Sequence, residues 1–298
     1  MNNNFVRQTI FPLLAALIWG TAFVAQSLCT DYIEPMTFNA LRGIIATITL
    51  FVVYVTYRKS ASKQGTLKPV DKKSFIWGSV WCGVFLALAS NMQQFGIEGT
   101  SAGKAGFITA LYIVIVPVLG IFIGKKNNLK IWISVAIAIA GLYFLCMNEK
   151  MTVSASDFYV FICAILFSVH ILIIDHYTER VEGVLLSLGQ FAVVTVLSAI
   201  GMFIFESPSV ANIIKCVVPT LYVGIFSSGV AYTLQIISMR GANPTKVSLL
   251  LSLESVFSVI AGAIILTERM SGREYFGCLL MFGAVILSQI PGFKKKIQ

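Results

Sequence analysis

Apolar residues run along this chain in stretches long enough to cross a lipid bilayer, separated by connectors that collect charge and turn-forming residues. A membrane-crossing helix needs about 20 mostly apolar residues at a rise of about 1.5 Å each. The pattern predicts ten: 9–28, 35–57, 74–96, 104–124, 129–147, 156–175, 183–205, 216–238, 245–267 and 273–291. Between them lie polar connectors such as 58–73, rich in Arg and Lys, and 241–244, with Gly and Pro. Pro35 opens the second span, a position suited to the first turn of a helix. The predicted fold is all-α, an integral membrane bundle of ten transmembrane helices.

The order of the spans carries a second pattern. Shifted by 142 residues, the stretch 93–147 falls on 235–289 without a gap. Gln93 then meets Gln235, Gly99 meets Gly241, Lys104 meets Lys246, Leu111 meets Leu253, Gly120 meets Gly262 and Gly141 meets Gly283. A shift of 148 aligns the earlier spans and pairs Glu34 with Glu182, the difference matching a longer basic connector in the first half. The chain therefore reads as two repeats, 1–150 and 151–298, of five spans each. Five is odd, so the second repeat enters the membrane the other way up. Inverted repeats are a recurring plan of secondary transporters, with the substrate site at the repeat interface near the midplane and access alternating between the two sides.

Composition agrees and removes other classes. Of the 298 residues, 57% are hydrophobic and 12% charged, against roughly 25% charged in a soluble domain. The mean hydropathy is +0.85. A cytosolic enzyme, a secreted disulfide scaffold and a disordered tail are excluded. The net charge of +9 sits in connectors and at the C-terminus, in clusters such as Lys125, Lys126 and Lys130. Basic connectors beside spans report orientation and anionic headgroups, so no nucleic-acid partner is expected; the partners are membrane lipids and a small-molecule substrate. Most of the basic residues fall on one side when both termini are placed in the cytoplasm, which predicts a multi-pass protein of the cytoplasmic membrane. Six scattered cysteines form no CxxC or Cys/His cluster, so neither a metal nor another cofactor is expected. The apolar stretch after Arg7 has the length of a full span and no clear cleavage site, and reads as an uncleaved first helix.

Several segments resemble the drug/metabolite transporter superfamily, specifically its EamA-type branch. They are Leu17-Ile18-Trp19-Gly20, Phe38-Asn39-Ala40-Leu41-Arg42, Ile113-Val114-Ile115-Val116-Pro117, Leu253-Glu254-Ser255-Val256-Phe257 and Leu266-Thr267-Glu268-Arg269. The resemblance covers nearly the whole chain. It departs at Gly124-Lys125, where Gly-Glu is usual, and at Ser255, where Pro is usual. It implies movement of small metabolites through a central cavity lined by the third, fourth, eighth and ninth spans, and export of amino acids or related compounds as the leading expectation.

Charge buried in lipid costs several kcal/mol, so it needs a partner or a water-filled cavity. Arg42 and Glu254 each lie about seven to ten residues into a span, near the midplane from opposite faces. Glu254 suits a proton or a substrate amine, and Arg42 a substrate carboxylate; the bland alternative is that they pair with each other. Neutral polar residues in apolar spans must also find hydrogen bonds: Asn91 and Gln93 in the third span, Tyr232 and Gln235 in the eighth. Tyr112 is the repeat partner of Glu254 and should approach the same axis. Lys104 and Lys246 open equivalent helices, a basic pair at the cavity mouths that fits either an anionic substrate or snorkelling to lipid phosphate. Trp19, Trp77 and Trp81 read as packing or interface anchors, and His170 as a hydrogen-bonded packing residue. The spacing of Gly120 and Gly124 fits tight packing within a monomer or a homodimer contact. The rivals to an amino-acid-type exporter are a carrier of anionic metabolites, of the sugar-phosphate or nucleotide-sugar type, and a lipid flippase. No clustered catalytic groups suggest an enzyme.

Overall fold

A computed structural model describes residues 3–64, 69–99, 102–146, 154–265 and 270–290. Among these residues the structure is helical with turns and short irregular connectors, and contains no strand. We number the membrane segments α1 (Val6–Ser27), α2 (Pro35–Lys63), α3 (Lys72–Ile97), α4 (Ala105–Phe122), α5 (Leu129–Cys146), α6 (Ala155–Tyr177), α7 (Gly183–Phe205), α8 (Val217–Met239), α9 (Pro244–Ile265) and α10 (Gly272–Gln289). Eight are long and apolar enough to cross a membrane by length and composition, and α5 contributes a shorter apolar stretch, Leu129–Leu145. The described helix α10 is 18 residues long. A short helix, Val210–Lys215, lies between α7 and α8.

The packing follows the repeat. α2 lies against α7 and α5 against α10, so each of these pairs joins a helix to its own image. α3 packs on α6 and α7, and α8 correspondingly on α1 and α2. The bundle is thus two five-helix repeats interlocked around a pseudo-twofold axis, an arrangement that buries the polar stripes of α3, α4, α8 and α9 inside.

Local chemistry fixes the helix ends. Ser154 with Asp157 and Ser271 with Glu274 form reciprocal capping boxes at α6 and α10, each satisfying otherwise unpaired N–H groups. The Asp71 carboxylate accepts from the Lys73 and Ser74 amides at the start of α3. The bond from the Ser74 hydroxyl comes first among the causes that hold Asp71 below its usual range. At the start of α2 the cap comes from far away. Glu206, just past α7, accepts from the Met36 and Thr37 amides at 2.7 and 2.6 Å. In return Glu34 accepts from the Ser207 amide at 3.1 Å.

Two local readings of the sequence are corrected. α2 runs on to Lys63 rather than ending at 57, because Arg58, Lys59 and Ala61 are good helix formers and no Gly or Pro intervenes. The spacing of Gly120 and Gly124 forms a helix stop. Gly124 has φ +79°, and the Lys125 and Gly124 amides return to the Gly120 and Ile121 carbonyls at 2.9 and 3.0 Å, a Schellman turn that favours glycine. A side chain at Gly124 would meet nothing within 4 Å, so close helix packing within the chain does not explain that glycine. The turn carries Lys125 to an ion pair with Asp175 of α6 at 2.5 Å.

Candidate functional site

Helices α4 and α9 are each broken once, at equivalent places. The Leu111 amide reaches the Ile108 carbonyl and the Val114 amide the Leu111 carbonyl, spacings of three residues instead of four. In α9 the Leu253 amide reaches Leu250 and the Ser255 amide reaches Ser252 in the same way. The second segments of the two helices then begin at Tyr112 and Glu254. A carboxylate in the first turn of a helix lies at the favourable end of its dipole, and discontinuous helices are how transporters present such ends at mid-membrane.

The two residues meet. The Tyr112 hydroxyl donates to Glu254 Oε1 at 3.1 Å, and both are buried, Glu254 only 6% exposed. Gly20 of α1 makes room for this arrangement. A side chain there would sit 2.5 Å from Phe257 Cβ and 2.8 Å from the Glu254 carbonyl, so glycine lets α1 lie directly against the start of the second α9 segment.

Arg42 stands elsewhere on the same cavity wall. It is 4% exposed, and its Nε donates to Ser228 Oγ at 2.9 Å. No ion pair joins it to Glu254 among the described residues. Ser228 belongs to a π-helical stretch of α8, Val223–Ala231; such widened turns recur at functional sites. The Ser227 carbonyl in that stretch accepts from Trp19 Nε1 at 3.2 Å, and the Trp19 ring lies 4.7 Å from that of Tyr232, centre to centre. Trp19 therefore forms cavity wall, whereas Trp77 and Trp81 stack on each other at the exposed surface.

Tyr112, Glu254, Arg42, Tyr232, Gln93 and Gln235 all line one cavity of about 40 Å³. The space left free for a water-sized molecule between these side chains is therefore small. The two glutamines differ. Gln93 Nε2 donates to Thr109 Oγ1 at 3.4 Å. In the other repeat the residue equivalent to Thr109 is Leu251, and Gln235 Oε1 is buried without a partner.

Three other candidates fall outside this cavity or cannot be followed. Asn91 accepts from Asn39 Nδ2 at 3.1 Å and donates to Ser198 Oγ at 3.1 Å, tying α2, α3 and α7 together away from the cavity lining. Lys246 lines a separate hollow with Asn243 and Gln8. The side chain of Lys104 lies outside the described residues. His170 is buried, with Nε2 3.1 Å from Gln190 Oε1. Sequence reasoning missed Thr109, Phe167, Gln26 and the Ser227-Ser228 pair, all of which but Ser228 line the cavity. Thr109 precedes Tyr112 by three residues, which places them on one helix face; that signal was available.

Comparison with known proteins completes the description. A family profile described as the EamA-like transporter family matches residues 8–147 and, a second time, residues 154–289. A protein of Archaeoglobus fulgidus named as an uncharacterized transporter is 27% identical over 277 residues, covering 92% of this chain and 83% of its own. The uncharacterized transporter YoaV of Bacillus subtilis is 21% identical over 288 residues, 94% of this chain and 96% of its own. One solved crystal structure superposes over 95% of this chain and 96% of its own with a TM-score of 0.73 at 18% identity, a likeness of fold.

Proposed function

The chain belongs to the EamA-like transporter family, and from that premise we propose that it exports a small zwitterionic metabolite, an amino acid or related compound, by alternating access. Family membership makes it a multi-pass membrane protein that carries a small molecule. The observation that carries the finer reading is the separation of two charges in one cavity. Glu254 is held by Tyr112, and Arg42 by Ser228 and Tyr232, with no ion pair between them among the described residues. A buried charge satisfied only by neutral hydroxyls is under-compensated, so an ammonium group facing Glu254 and a carboxylate facing Arg42 supply what the protein leaves out.

A cavity with only about 40 Å³ of free space fits one stage of a cycle in which the repeats rock apart toward one side and then the other. Proton coupling through Glu254 follows the same logic, since a proton compensates the carboxylate when no amine is present. Counting the basic residues supports cytoplasmic termini in the cytoplasmic membrane. The rival carrier of anionic metabolites draws no support from Lys246, which lies in a different hollow.

The test is thermal stability of the purified protein against amino acids, amines, nucleotides and sugar phosphates, since a ligand that binds only the folded state raises the melting temperature. A rise with a zwitterion, lost in Glu254→Gln and Arg42→Gln, supports the proposal. A rise confined to phosphorylated compounds and retained in both variants overturns it.

A further inference from the structure

On the flank of the bundle, where α1, α9 and α10 converge, two hollows meet. One, of about 440 Å³, is walled by apolar side chains such as Leu13, Phe282 and Ile286. The other, of about 250 Å³, is polar and holds Gln8, Asn243 and Lys246. Thr9 and Gln289 line both, so apolar groove and polar hollow are continuous.

We propose that this joined hollow binds one anionic glycerophospholipid, with an acyl chain in the groove and its phosphate against Lys246. The charge is complementary. No acidic side chain is among the described residues lining either part, and Lys246 forms no ion pair among the described residues. Two more cations lie close by, Arg7 beside the polar end and Lys130 beside the apolar groove. Arg7 donates to Asn4 Oδ1 at 3.4 Å, and Asn4 lines the polar hollow; the Arg7 Nε is buried without a partner. Lys130 Nζ donates to the Ile290 carbonyl at 2.7 Å, at the lip of the groove. Cations at a membrane surface attract anionic headgroups. A soluble anion could use the polar hollow but would leave the apolar groove unfilled, whereas a phospholipid matches both parts and their order.

The site reaches the break in α9. The inner wall of the groove includes Leu250 and Leu253, which flank the break in α9, and Leu253 directly precedes Glu254. A chain seated there packs against the bend that presents Glu254 to the central cavity, so lipid occupancy favours the bent form of α9.

Delipidated full-length protein in neutral detergent, titrated with phosphatidylglycerol or phosphatidylcholine and followed by native mass spectrometry, tests this. The expected result is one phosphatidylglycerol retained per chain, at about tenfold lower concentration than phosphatidylcholine. Lys246→Gln should erase that preference and Lys246→Arg should keep it. Ile286→Trp, at a largely lipid-facing position, should fill the groove and weaken retention of both lipids. Equal retention of the two lipids with no effect of Lys246→Gln overturns the proposal. So does displacement of phosphatidylglycerol by inorganic phosphate with Ile286→Trp without effect, which would mean a soluble-anion site only.

Discussion

The side-chain hydroxyls of Thr47 and Thr195 lie 3.3 Å apart, and the two residues are repeat images of one another at the shift of 148. A residue can touch its own image only on the symmetry axis. Tyr112 and Glu254, images at the shift of 142, mark a second point on it. One contact joins α2 to α7 and the other α4 to α9, so the axis passes through both the central cavity and a plain helix–helix seam.

If transport requires the repeats to separate at this seam, tying them there should stop the motion without touching the cavity. Thr47→Cys combined with Thr195→Cys places two sulfurs within bridging reach. Oxidation should abolish flux into proteoliposomes, and reductant should restore it, while substrate still raises the melting temperature. Undiminished flux after demonstrated cross-linking would remove rocking at this seam from the mechanism.

Glu254→Gln should lower flux at least tenfold and flatten its dependence on pH. Tyr112→Phe removes only the hydroxyl that holds the carboxylate in place, so flux should fall several-fold while the pH dependence survives. Initial rates between pH 5 and 8 separate the two variants. A Glu254→Gln protein that keeps its pH profile would move proton coupling to another group.

The unpaired Gln235 invites a substitution that repairs it. Leu251→Thr places a hydroxyl beside Gln235 at the position where Thr109 stands beside Gln93, and a threonine hydroxyl can donate to the free Gln235 Oε1. If the free carbonyl of Gln235 accepts from substrate, satisfying it internally should raise KM by about tenfold, the equivalent of about 1.4 kcal/mol, with kcat little changed. A KM that falls or stays constant would assign Gln235 to packing.

Asp71 provides a handle on stability outside the membrane. Its folded carboxylate titrates below its ordinary range, held first by the Ser74 hydroxyl. The linkage sign follows: the stabilisation is complete above the ordinary pKa and is lost as pH falls through the lowered folded value. Asp71→Asn still caps α3 but cannot titrate, so the acid limb of a melting-temperature profile below about pH 4 should flatten. An unchanged acid limb would show that other carboxylates govern it.

Much of this architecture was legible in the sequence, because lipid leaves few solutions for an apolar stretch. The span lengths and the repeat shifts describe the helices observed, and the shift that pairs Tyr112 with Glu254 on paper is the one across which their side chains meet. What escaped were features set by neighbours. Nothing in Val223–Ala231 itself signals a π-helix in place of the regular α-helix that its image in α3 adopts. Trp19 reads as an anchor by residue type, yet its indole N–H finds a carbonyl inside the bundle. Asn91 and Gln93 sit two apart on one helix, and only the packing decides that one holds helices together while the other faces the cavity.

The cap that Glu206 places on α2 has a consequence for synthesis. The carboxylate lies 170 residues beyond the Met36 amide it satisfies. At roughly 5–20 residues per second, the ribosome reaches it on the order of ten to thirty seconds after making Met36. Throughout that interval the first N–H groups of α2 have water, not Glu206, for a partner. The contacts of Glu206 with α2 and of Glu34 with Ser207 therefore form only after both halves have been made.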